Sequence, residues 1–222
     1  MKQMMILAMG LLYFSPLLGD SGKKITYNLT TKKKDKIVHS FMIVTQNQGH
    51  SIIEFIDSKG EKSVNQINTE SLIPVNTLYF DKNNVNYLVT TFQWDKKTII
   101  TTGTTKKNYQ METPFTYDAN GSIFYIFSLF KPEDNGNTVL HILQSKEKRV
   151  VAMYLKYVKT EEIIINGKKR QAVKYETGLE NKFLSLAWPY KYYYWYDKSN
   201  RHFLKYEGPY GHDDVETVES DQ

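Results

Sequence analysis

The chain contains no cysteine among its 222 residues. That absence removes disulfides, thiol catalysis and thiolate metal sites together. The five histidines, His39, His50, His141, His202 and His212, lack the close spacing of a zinc or metalloprotease helix. No Gly-x-Ser-x-Gly elbow exposes a serine nucleophile, and neither a phosphate-binding loop nor a dinucleotide fingerprint occurs. Glu161 with Glu162, and Asp213 with Asp214, are chain neighbours that point apart in a strand. They read as solvated charges and not as an acid/base pair. The expectation is a non-enzymatic protein with no catalytic residues, no metal and no cofactor.

Concentrated positive charge is also missing. The formal net charge is +5, but the lysines are scattered and often flank turns, whereas a nucleic-acid binder gathers them on one element. A solvated surface is expected, with no nucleic-acid partner. Apolar residues make up 41% and charged residues 24%, ordinary values for a globular protein. The length suits one domain with a real core.

The N-terminus reads as an export signal: Lys2 supplies the positive charge and Met4 to Leu18 the apolar core. The run is too short, and its Pro16 too disruptive, for a membrane span of ~20 residues. Cleavage after Gly19 or Ser21 is expected, with an uncleaved anchor as the alternative. No cysteine follows the apolar core to carry a lipid anchor. An exported domain without disulfides rests on core burial alone, which suits the periplasm of a Gram-negative bacterium. The expected organisation is a signal at 1–21, a single β-barrel-like domain at 22–210 and an acidic, disordered tail at 211–222.

Aromatic residues are abundant, at 14% with 17 tyrosines, which favours strands and half-wet sites. Strand-like runs recur from Ile37 to Thr45, Ser51 to Ile56, Ser63 to Ile67, Thr77 to Phe80, Val85 to Trp94 and Thr98 to Thr105. Further runs cover Arg149 to Lys159, Glu161 to Ile165 and Gln171 to Thr177, the last two joined by Asn166-Gly167, a strong hairpin signal. Roughly ten strands at short spacing imply a mainly β fold, an antiparallel sheet curled into an open or closed barrel.

One segment departs from this pattern. Between Asp118 and Phe130, Ile123, Ile126, Phe127 and Phe130 fall at helical spacing. Asp118 or Asn120 can cap such a helix and Pro132 can end it. A helix from about Asn120 to Phe130, apolar nearly all round, has to be enclosed, and the concave face of the sheet suits it. A buried strand is the competing reading.

The C-terminal run from Leu186 to Tyr210 is the most aromatic part of the chain. A loop at Lys198-Ser199-Asn200, with Asn200 left-handed, predicts a hairpin pairing Asp197 with Arg201, Tyr196 with His202, Trp195 with Phe203 and Tyr194 with Leu204. That register puts Tyr192, Tyr194, Leu204 and Tyr206 on one face and Tyr193, Trp195 and Phe203 on the other. Both faces then need cover, from the helix, from a ligand or from a partner.

Three pieces of the sequence resemble a bacterial family of exported proteins known as domain of unknown function 3108. They are the helix after Asp118 with Ser122, the Asn166-Gly167-Lys168 hairpin with Gln171-Ala172-Val173-Lys174, and the ending Tyr194-Trp195-Tyr196-Asp197 through Lys205-Tyr206-Glu207. The pattern departs at Lys131, where a basic residue is expected one step earlier. The resemblance implies an architecture similar to the half-open barrels of periplasmic lipoprotein carriers, with a concave face able to hold an acyl chain. The expected ligand-binding residues are Phe124, Phe127, Trp188, Tyr192, Tyr194, Trp195 and Tyr206. The expected function is a non-catalytic carrier for an apolar, lipid-like ligand, with possible peripheral envelope association. A structural or protein-interaction domain of the envelope is the alternative.

Overall fold

The computed structural model describes residues 22–104, 106–111, 115–144, 149–181, 190–210 and 214–221. The expected signal at 1–21 and Trp188 lie outside the described residues.

The chain is mainly β, built on one curled sheet that does not close into a barrel. Its first eight strands form a meander: β1 (Lys23–Lys33), β2 (Lys36–Asn47), β3 (His50–Ile56), β4 (Lys62–Asn68), β5 (Pro74–Phe80), β6 (Asn86–Gln93), β7 (Thr98–Gly103) and β8 (Lys107–Gln110). The remainder are β9 (Thr116–Asp118), β10 (Thr138–Gln144), β11 (Arg149–Ile165), β12 (Lys168–Leu179), β13 (Tyr192–Asp197), β14 (Phe203–Tyr210) and β15 (Asp214–Asp221). Fifteen strands are therefore described, more than the sequence count, in the order β8 to β1 and then β15 to β9. The last strand thus docks beside the first, and β8 and β9 form the two edges.

Alternation explains the curl. On β1, Tyr27, Leu29 and Thr31 are buried while Lys24, Thr26 and Asn28 are exposed. On β2, Ser40, Met42 and Val44 repeat the pattern. Period-2 burial means one face is dry, and a sheet of this width covers its dry face by wrapping round itself. Asn166 and Gly167 both adopt positive φ, 51° and 74°, as a tight turn between β11 and β12 requires.

The expected helix is present but shorter and broken. It comprises α1 (Ile123–Ile126), a 3-10 turn (Phe127–Leu129) and α2 (Pro132–Asn135). Ser122, not Asp118 or Asn120, occupies the N-cap position. Asn120 instead forms an Asx turn, its Oδ1 accepting the Ser122 N–H at 2.9 Å. Pro132 opens α2 and does not simply stop the chain, because Lys131 takes a left-handed conformation that resets the direction. The helical segment connects β9 to β10, and these two strands run parallel. The sheet is therefore mixed, since a parallel pair needs such a crossover.

Two further expectations are corrected. The acidic segment 214–221 is strand β15, paired with both β1 and β14, and not a disordered tail. Its carboxylates meet the lysine-rich first strand: Glu219 pairs with Lys32 at 3.1 Å and Glu216 with Lys33 at 2.9 Å. The aromatic hairpin has a different register, with Tyr196 opposite Phe203, Trp195 opposite Lys205 and Tyr194 opposite Tyr206. The positive φ falls on Arg201 and not on Asn200, and a bulge at Leu204 accommodates the extra residue.

Candidate functional site

The bulge decides which aromatics share a face. Phe203 turns into the main core with Tyr194 and Tyr196, while Leu204 joins Trp195 in a separate cluster. Five of the expected ligand residues come together: Phe124, Phe127, Tyr192, Tyr194 and Tyr206. Phe124 stacks on Phe203 with ring centroids 4.7 Å apart and lies 5.7 Å from Tyr206. Phe127 meets Tyr194 edge-on at 5.0 Å, and Tyr192 stacks on Tyr206 at 6.4 Å. Such offset and edge-on pairs add to simple area burial. Gly208 makes the arrangement possible, because a Cβ there would sit 2.0 Å from the Tyr206 hydroxyl oxygen.

Trp195 lies on the opposite face. Its indole N–H donates to Glu161 Oε1 at 2.9 Å, and the Lys174 and Lys205 ammonium groups sit 4.5 and 5.2 Å from its ring centroid. That is a cation-covered outer surface.

The helix fills much of the concavity itself: Phe127 is 1% exposed and Tyr196 0%. Burial pushes the hydroxyls of Tyr194, Tyr196 and Tyr206 up, so all three stay neutral phenols. The helix is held from two sides. Tyr125 Oη accepts from Gln46 Nε2 of β2 at 2.8 Å. On α2, Glu133 takes the Tyr175 hydroxyl at 2.8 Å and an ion pair from Arg201, whose Nη1 also donates to the Tyr175 oxygen at 2.9 Å.

Space remains beside the rings. A cavity of about 630 Å³ is lined by Ile142, Val151, Met153, Leu179 and Tyr192, with Arg149 and Glu180 among its polar members. Its size falls within the ~300–1,000 Å³ usual for small-molecule sites, and its lining is mainly apolar. Tyr192 links it to the ring cluster, since Met153 and Tyr192 both pack on the main core.

The other half of the concave face carries a polar row between apolar side chains. Asn65, Thr77, Thr90 and Thr101 occupy successive cross-strand positions on β4 to β7, and all are buried. Asn65 and Asn120 exchange reciprocal amide hydrogen bonds at 3.1 Å, Thr77 donates to Asn65 at 2.9 Å, and Thr90 donates to Asp118 at 3.0 Å. The residues expected to cap the helix thus seat it in a polar row. A smaller cavity of about 300 Å³ lies over this half, between Phe55, Tyr79 and Tyr87. Burial, and then the charge of Asp118, pushes the Tyr79 hydroxyl well above its ordinary value.

Sequence reasoning missed Met153, Leu179 and Ile142, which carry no marker beyond ordinary strand alternation. It also missed the Glu133–Arg201 pair, whose partners are 68 positions apart in the chain (201 less 133). Among the described residues, no group of acidic or histidine side chains is placed to hold a metal. No described helix is long and apolar enough to cross a membrane.

No family model and no curated protein matches the sequence, so the resemblance to domain of unknown function 3108 rests on its motifs. Among solved structures, the fold is similar to a β-barrel-like protein of domain of unknown function 1849 from Brucella abortus. The TM-score is 0.50 at 11% identity, over 90% of this chain and 95% of that one. The hypothetical lipoprotein YmcC from Escherichia coli aligns over 88% of this chain and 86% of its own, with a TM-score of 0.36 at 9% identity. At this identity the first likeness speaks to fold alone: the chain has a curled, β-barrel-like architecture.

Proposed function

We propose that the chain is an exported envelope protein, resident in the periplasm, that shelters an apolar, lipid-like ligand without catalysing a reaction. The observation that carries this reading is the cavity of about 630 Å³, mainly apolar, which shares Tyr192 with the aromatic cluster. Burying one large apolar side chain is worth roughly 1.5–3 kcal/mol, and a ligand filling this space gains on the same scale. The apolar N-terminal run supports export. Of the expected residues, Tyr192 lines this cavity, and Tyr206, which stacks on it, and Phe124 stand behind it in the ring cluster.

The alternative, a structural or interaction domain, is favoured by a specific observation: Phe124 and Phe127 of the helical segment already pack on Phe203 and Tyr194 of the sheet. Native mass spectrometry of the mature protein, before and after organic extraction, separates the two. The carrier reading expects a co-purifying apolar species that extraction removes and an apolar fluorescent probe replaces. Absence of any such species, together with no probe binding, leaves the structural reading standing.

A further inference from the structure

A separate cavity of about 600 Å³ lies between the tip of the β11–β12 hairpin and the β13–β14 turn. Its donors converge from several elements: Lys168 and Arg170 of β12, Asn200 and His202 of the turn, and Ser220 of β15. Ser220 is 2% exposed, and its hydroxyl has no hydrogen-bond partner in the structure. An unsatisfied buried hydroxyl at a cavity wall is a donor whose natural complement is an incoming acceptor.

One lining residue is acidic, Asp197. Its carboxylate already accepts the Ser199 N–H at 2.8 Å and the Ser199 hydroxyl at 2.5 Å. Burial pushes its carboxyl up, but these bonds and the nearby Arg170 charge together hold it below the ordinary value of 3.8. It is an internally satisfied charge, and Lys168 and His202 line the same cavity. Leu204, 5% exposed, gives the cavity an apolar wall, which strengthens charge-assisted hydrogen bonds there.

We propose that this cavity binds a phosphate group, carried by a free phosphate ester or by the headgroup of an anionic lipid. Donors arriving from three directions suit a tetrahedral anion with several oxygens, and the planar Arg170 guanidinium can grip two of them at once. This inference is independent of the apolar cavity, whose lining shares no residue with it.

The test titrates glycerol 3-phosphate into the purified protein at fixed ionic strength by isothermal calorimetry, and in parallel measures sedimentation with phosphatidylglycerol and phosphatidylcholine vesicles. Saturable binding is expected in at least one arm. Saturation by the soluble ester identifies a free phosphate ester as the source; binding to phosphatidylglycerol vesicles alone identifies the headgroup. Arg170→Gln should weaken it by about tenfold or more, the effect of losing one charge-assisted contact. Ser220→Ala, which leaves the fold's charges intact, should weaken it less, and Asp197→Asn should tighten it. Should Arg170→Gln fail to fold, Lys168→Gln and Ser220→Ala carry the comparison. Two outcomes overturn the proposal: no binding in either arm, or an equal loss in a Lys59→Gln/Lys82→Gln control that removes exposed charge elsewhere.

Discussion

On β4 to β7 the concave face carries a row of small polar side chains, Asn65, Thr77, Thr90 and Thr101, set between the apolar pairs Tyr79–Leu88 and Phe92–Ile99; on β12 to β14 it is aromatic throughout, Tyr175, Tyr194, Tyr196, Phe203 and Tyr206. The polar row is closed by directional bonds to fixed partners, Asn120 and Asp118. Such bonds specify one position for the incoming segment, because any other leaves buried donors unmet. The aromatic half is filled by bulk, which tolerates space beside it, and the larger cavity lies there. Both halves hold the helical segment, the aromatic half through Glu133 with Tyr175 and Arg201; beside the aromatic half there is also room for a guest.

The largest effect that sharpens this contrast is Phe127→Ala. Removing a ring that is 1% exposed should cost about 3–5 kcal/mol, read as a lower denaturant midpoint with an unchanged slope. On the polar side, Asn120→Ala strands the Asn65 amide and should cost about 1–3 kcal/mol. If the two variants exchange these costs, the division of labour between the halves is wrong.

Acid should act on the outer surface of the aromatic half. Burial pushes the Glu176 carboxyl up, but hydrogen bonds from the Lys156 ammonium, the Tyr154 hydroxyl and Lys191 hold it below the ordinary 4.5. The Lys159 ammonium, opposed by burial and aided by the Trp195 N–H, likewise holds Glu161 below 4.5. A depressed native value means the unfolded chain takes up protons first. The contribution is therefore complete above the ordinary value and lost as pH falls below it through the native value. Thermal unfolding followed against pH should show Tm falling below about pH 4.5, with the fall reduced in Glu176→Gln. The smallest effect belongs to the β1–β15 ion pairs. Lys32 and Lys33 are substantially solvated, so Lys32→Gln and Lys33→Gln should each cost about 0–1 kcal/mol, less at high salt.

The meander was readable from sequence because alternation and turn residues coincide. The expected runs at 37–45, 51–56 and 63–67 lie inside β2, β3 and β4. What escaped was set by partners far along the chain. The acidic end looks solvated alone and becomes a strand only beside the lysines of β1. Asp118 and Asn120 suit a helix cap locally, and the polar row of β4 to β6 claims them. Leu204 and Phe203 exchange faces because Arg201, and not Asn200, takes the left-handed position and a bulge follows. Of the site, five rings were legible as one cluster, while the cavity beside them depends on how β10, β11 and β12 curve.

The most direct test of the carrier reading is titration of a fluorescent long-chain fatty-acid analogue into delipidated protein, in the natural chain and in Val151→Trp, which fills the cavity. The prediction is saturable binding at one site, lost in the variant while its cooperative unfolding is retained. Equal binding by both chains, or none by either, contradicts the assignment of this cavity to an apolar guest.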